Sequence, residues 1–222
     1  MEHNPQIHNQ LLADLPVLIT KTIAHWRSMN KALPIKIPLI VLEDVDLAGF
    51  EALNLSLDGL NESLDFVIIG EQSATNTFKA LCESLRKWLL FYRGMVRGSV
   101  PGTKWERWLV LTPQKHCKAE LVRIAAWVTL LCWDSLEAEL VSMGETPFRR
   151  HDGRGLAEFR AEVEGFFDVQ IAMLNAQWEV AFAEVELAMA LERLAAVVVR
   201  YPITVKCRLP AKHALLGSLP KR

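Results

Sequence analysis

The chain has 222 residues and a mass of 25.1 kDa, the size of one ordinary domain. Its 25 Lys and Arg against 26 Asp and Glu leave a net charge of −1, which argues against a globally basic nucleic-acid binder and against an acidic solvating tail. Hydrophobic residues make up 51% of the chain and the mean hydropathy is +0.15, so disorder is excluded and no disulfide or metal is needed to complete a core.

The polar start, Met1-Glu2-His3-Asn4-Pro5, predicts no secretory leader. Leu15, Ile19, Ile23, Trp26 and Leu33 then share one face of a first helix over about 7–32, with Pro16 a candidate kink. Pro34 and Pro38 forbid a helix between them, so 34–42 reads as an extended crossover. Asp44 or Asp46 is placed to cap a second helix, whose row Leu47, Phe50, Leu53, Leu57, Leu60 and Leu64 steps by three and four. Phe66 to Gly70 reads as an apolar link. Ser73 or Thr75 would cap a third helix over 73–97, with Phe78, Leu81, Leu85, Trp88, Tyr92 and Met95 as a heptad seam.

After the turn Gly98–Gly102, Thr112-Pro113 has the form of a helix start, predicting a fourth helix over 114–142. Cys117, Leu121, Ile124, Val128 and Leu131 are its expected buried face. A polar turn follows from Gly144 to Gly155. From Leu156 to Arg200 there is one glycine, Gly165, and no proline. Ten large apolar residues from Leu156 to Met189 (Leu156, Phe159, Val163, Phe167, Ile171, Leu174, Trp178, Phe182, Val185, Met189) make nine steps over 33 residues, about 3.67 per step, the period of a straight α-helix. Such a helix is either broken once or projects. Pro202 is expected to end it, and Ile203, Val205, Cys207 and Leu209 alternate with polar residues as an extended tail would.

Charge is segregated although the total is neutral. Eight acidic and no basic residues lie between Glu43 and Glu71, and nine basic against two acidic between Lys79 and Lys118. Antiparallel neighbours in a bundle would show this alternation, so the acidic segment is expected beside Arg86 and Arg93.

No catalytic constellation stands out. His116 and Glu120 are four apart but lack the further ligands a metal requires, and the chain has no Glu-x-x-His motif. His151-Asp152 among Arg149, Arg150 and Arg154 could hold a phosphate, but an exposed turn explains it as well. Gly98 to Lys104 lacks the Gly-Lys-Ser/Thr order of a phosphate loop. Cys82, Cys117, Cys132 and Cys207 form no Cys-x-x-Cys pair, which points to reduced thiols in the cytoplasm. The longest apolar run, Ile124–Trp133, has ten residues, half of what a bilayer-spanning helix needs.

The sequence therefore predicts an all-α fold: an up-and-down bundle of four to five long helices over 1–200, with an extended crossover near 34–42 and an extended basic C-terminal tail over 201–222. The expected function is non-enzymatic and without a cofactor: an assembly or adaptor protein whose long helix and tail contact a protein partner or another copy. The second reading is binding of a polyanion such as single-stranded nucleic acid, by Arg86, Lys87, Arg93, Arg97, Lys104 and Arg107, interleaved with Trp88, Tyr92, Trp105 and Trp108, together with Lys206 and Arg208. The third is a small-ligand or enzyme pocket inside the bundle.

Overall fold

The computed structural model describes residues 5–32, 39–42, 45–109, 113 and 118–220, with side chains from Asp14 onward. It is all-α, with 82% helix and no strand among these residues. The helices are α1 (Pro5–Ala32), α2 (Leu47–Ser99), α3 (Lys104–Arg107), α4 (Ala119–Ser142), α5 (Leu156–Glu164) and α6 (Phe166–Arg208), followed by a 3-10 turn at Ala214–Ser218. The chain forms two compact units, the first of residues 1–68 and 179–222, the second of residues 69–178.

In the first unit, α1 keeps its helix through Pro16 and buries Leu15, Leu18, Ile19, Trp26 and Met29. The predicted crossover is described from Leu39 to Leu42, where the chain is non-helical and the amide of Val41 donates to the Val45 carbonyl; residues 34–38 lie outside the described residues. Asp46 caps α2, its carboxylate accepting from the Gly49 amide at 2.8 Å. The core closes around Trp26, whose ring lies 4.9 Å from Tyr201 and 6.0 Å from Phe50.

The expected extended tail is corrected here. α6 runs through Pro202 to Arg208, so the predicted boundary at 200/201 falls inside a helix. Proline inside a helix forfeits one backbone hydrogen bond. Packing compensates, because Tyr201, Val205 and Leu209, spaced by four, are all buried. Ile203 and Cys207, the other half of the apparent alternation, face solvent. Beyond α6 the chain turns back onto α1. His25 Nε2 donates to the Leu215 carbonyl and the Tyr201 hydroxyl donates to His25 Nδ1, both at 2.8 Å, and Leu219 is buried in the same core.

The second unit is built on aromatic rings. Trp88 and Tyr92 of α2, Trp133 of α4 and Phe159 of α5 pack at centroid distances between 5.4 and 5.9 Å. The predicted heptad seam is borne out: Phe78, Leu85, Trp88 and Tyr92 are buried, with Leu81 and Met95 packed against them. The helix that carries the seam starts elsewhere. Leu47 to Ser99 is one helix, so the apolar link at 66–70 and the cap at Ser73 or Thr75 are corrected. The polar run persists as helix because its hydroxyls bond within it: Thr75 Oγ1 donates to Glu71 Oε1 and Thr77 Oγ1 to the Ser73 carbonyl. The acidic stretch from Glu51 to Glu71 and the basic stretch from Lys79 to Arg97 therefore succeed one another along one helix. Glu51 pairs instead with Arg27 of α1, and Arg86 with Glu83.

α4 is also rotated from its expected orientation. Its core face is Val122, Ala125, Ala126, Thr129, Leu130, Trp133, Leu136 and Leu140. Leu121, Ile124, Val128 and Leu131, expected inside, are exposed, while Cys117 lies outside the described residues. The helix ends in a Schellman motif, the Glu145 amide bonding the Leu140 carbonyl and the Gly144 amide the Val141 carbonyl. Gly144 has φ +80°, a conformation that only glycine takes without strain. The long helix predicted from Leu156 is broken once, at Gly165.

Candidate interaction surface

The break at Gly165 decides what faces outward. Before it, Leu156, Phe159 and Val163 are buried; after it, Phe166 enters the core, and the rest of the predicted apolar row turns to solvent. Phe167, Ile171, Leu174, Trp178, Phe182, Val185 and Met189 are all exposed, with Trp178 at 67% and Phe182 at 70%. Their positions repeat every eleven residues: 167, 178 and 189; 171 and 182; 174 and 185. That period keeps the row close to the helix axis direction over about 33 Å, with a right-handed drift of about 20° per repeat.

The opposite side of the same stretch is also apolar, but its residues are smaller on average. Val169, Met173, Ala176, Val180, Ala183 and Leu187 are partly buried. A helix that is apolar on both sides is normally covered on both sides. Here the larger side chains, including Trp178 and Phe182, are on the uncovered side. With roughly 150–250 Å² per aromatic ring, the fractional exposures of Phe167, Trp178 and Phe182 leave on the order of 300–500 Å² in contact with water. Monomeric proteins rarely leave more apolar surface than that in one patch.

The polar residues beside the row have one sign. Asp168, Glu179, Glu184 and Glu186 are exposed and make no ion pair among the described residues, and no Lys or Arg occurs between Phe166 and Leu191. At the start of the row, Phe167 is covered on one side by the Arg123 guanidinium of α4, 4.9 Å from its centroid. Arg123 is itself held by Glu120, whose carboxylate its hydrogen bond keeps below the usual carboxylate range.

The predicted basic residues are only partly brought together. Arg86 and Arg93 are half-buried on α2, whereas Lys87 and Arg97 are exposed on it. Lys104 of α3 pairs with Glu139 at 2.8 Å and lies over the Trp105 ring, and Arg107 is exposed beside it. Lys206 and Arg208 belong to the other unit, in the last turn of α6, where cations complement the helix dipole. Of the interleaved aromatics, Trp88, Tyr92 and Trp105 are buried and Trp108 is exposed.

The arginine-rich turn is internally satisfied. Arg150 pairs with Asp152 at 3.3 Å, Arg154 bonds Glu162, and Arg149 approaches Glu158 at 4.0 Å. Arg150 and Arg154 also lie against the Trp88 ring, 4.7 and 5.2 Å from its centroid, which closes that end of the core. His116 lies outside the described residues, and among these residues no three His, Cys, Asp or Glu side chains converge as a metal site requires. Cys132 and Cys207 are free thiols. No helix among the described residues is long and apolar enough to cross a membrane. A cleft of about 480 Å³ between Gly70–Thr77 of α2 and Asp168–Ala172 of α6 opens to solvent, with Asp168 its one ionisable group.

Comparison with protein-family models, with curated proteins and with solved structures gives no match for this chain.

Proposed function

We propose that this chain is a non-enzymatic assembly or adaptor protein that docks a partner helix along the outward face of α6. The exposed row from Phe167 to Met189 carries the reading. It is long, straight and aromatic, and it lies on a helix whose other side is already partly buried. Helix-in-groove recognition uses anchors at this three-and-four spacing, and aromatic side chains dominate the energetics of such contacts. The C-terminal residues, which the sequence offered as a second point of contact, are spent on the chain's own core through Leu209, Leu219 and the His25 hydrogen bonds.

The test compares the wild-type chain with Phe182→Glu, which puts a charge in the middle of the row, and with Leu55→Glu, an equally exposed apolar site on α2. Association, measured by affinity capture from host extract and by sedimentation of the purified chain, should be lost in Phe182→Glu alone. If all three proteins retain the same partners and sediment alike, the α6 face is not a docking surface.

A further inference from the structure

The charges around the α6 row select what kind of helix covers it. A second copy brings the same stretch, which has no Lys or Arg between Phe166 and Leu191, and so offers no counter-charge to Asp168, Glu179 and Glu186. An anionic lipid surface is disfavoured for the same reason, since helices that lie in membrane interfaces carry Lys and Arg along their polar face. We infer that the partner is a basic amphipathic helix of another protein, its apolar residues at the same 4-3-4 spacing and its flanks carrying Lys or Arg that meet Asp168, Glu179 and Glu186.

Helical geometry places these three carboxylates along one edge of the row. Taking Trp178 as the centre of the row at 100° per residue, Asp168 and Glu186 fall about 80° to one side and Glu179 about 100° to the same side. On the other side, Gln170, Gln177, Ala181 and Ala188 are uncharged, and Glu184 lies about 120° from the centre of the row. The face is thus an apolar strip with three carboxylates along one edge and a single one, set further back, on the other. A partner with cations along one edge is biased towards one orientation, because reversing it carries those cations to the edge with one carboxylate. The eleven-residue period adds a second condition: the row drifts about 20° per repeat in the right-handed sense, whereas a seven-residue repeat drifts in the opposite sense, so the partner's anchors should also recur every eleven residues. About 33 Å of contact requires roughly 22 residues of partner helix.

This inference rests on the docking reading above, and the experiment separates the two. Two helical peptides are synthesised with identical apolar residues at the 4-3-4 spacing, one flanked by Lys and the other by Glu. Their binding to the full chain is followed by Trp178 fluorescence and by calorimetry. The Lys peptide should bind at least about tenfold more tightly at low salt, and the difference should fade near 1 M salt as the charges are screened. In the chain carrying Glu179→Lys and Glu186→Lys the preference should invert. Phe182→Glu should weaken both peptides. Equal binding of the two peptides, both sensitive to Phe182→Glu, overturns the charge inference and leaves the docking face in place. Binding of neither peptide overturns the inference, and concentration-dependent dimerisation that Phe182→Glu abolishes identifies a second copy as the occupant instead. Binding to anionic vesicles that Phe182→Glu abolishes overturns both readings.

Discussion

Replacing His25 with Ala tests whether the C-terminal residues belong to the core of the first unit. The imidazole is 7% exposed and joins three elements: α1, on which it sits, Tyr201 of α6 and the 3-10 turn through Leu215. A carbonyl can only accept, so Nε2 carries the proton, and in the neutral ring Nδ1 accepts from the Tyr201 hydroxyl. Burial pushes the Tyr201 phenol up from its ordinary value, which keeps it a donor. The substitution removes two hydrogen bonds worth about 1 kcal/mol each and strands a hydroxyl on a residue with no exposed surface. It also removes an edge-on ring contact at 5.7 Å, worth about 0.5–1.5 kcal/mol. The expected loss is about 3 kcal/mol. Tyr201→Phe, which leaves the rings in place, should cost about 1–2 kcal/mol, and the double variant should cost less than the two losses combined. Urea unfolding followed by far-UV circular dichroism measures each value, and limited proteolysis near Pro210–His213 reports whether the turn has come away. A loss below about 1 kcal/mol with unchanged proteolysis would refute the lock and return the C-terminal residues to the status of a loose tail.

Trp178→Ala, by contrast, should leave stability within about 0.5 kcal/mol of wild type, because the ring touches little of its own chain; a fall in melting temperature of more than a few degrees would show that the row is core. Trp133→Ala removes the ring shared by Trp88, Phe91, Tyr92 and Phe159 and should cost about 3–5 kcal/mol, read from the same urea curves. Glu158, whose carboxylate accepts from the Gly155 amide, has its pKa lowered first by that bond. Its contribution is therefore complete above the ordinary glutamate value near 4.3 and is lost as pH falls through the lowered one. Stability curves of wild type and Glu158→Gln should differ at neutral pH and converge in acid; parallel curves would show that the cap contributes nothing.

Much of the fold was legible because the relevant signals are local. The first helix, the cap at Asp46, the Phe78–Tyr92 seam and the straight row on α6 all follow from spacing, and spacing is what a helix turns into a face. What spacing does not encode is whether a face meets core or water. On α4, apolar residues occur nearly all round, so two faces fit the period; the core takes the one with Ala125 and Ala126, which permit close approach, and Trp133, which fills the ring cluster. On α6 spacing marks the row but not which part of it faces water, because the shift at Gly165 hands the core position to Phe166. Pro202 and the Ser73–Thr77 run misled in the opposite direction, as local helix breakers overridden by buried Tyr201 and Val205 and by hydrogen bonds within the helix. Of the basic residues offered as a site, six lie on α2 and α3 and two in the other unit, whereas the acidic edge of α6 becomes visible only once the row beside it is known to face outward.

The division of the chain carries a consequence for its synthesis. The second unit is contiguous, from 69 to 178, and all of its core residues have been polymerised before Glu179 is added. The first unit has no such independence: Trp26, Phe50 and their neighbours wait for Leu194, Tyr201, Val205, Leu209 and Leu219, made well over a hundred residues later. Leu219 follows Phe50 by 169 residues, so at about 5–20 residues per second the wait is on the order of ten to thirty seconds. During that interval α1 holds an uncovered apolar face, and closing it requires contacts across well over a hundred residues of sequence, the slowest kind to form. The apolar face of α1 is thus the last part of this core to be covered, and until Leu194 to Leu219 are made it is the face a chaperone would hold.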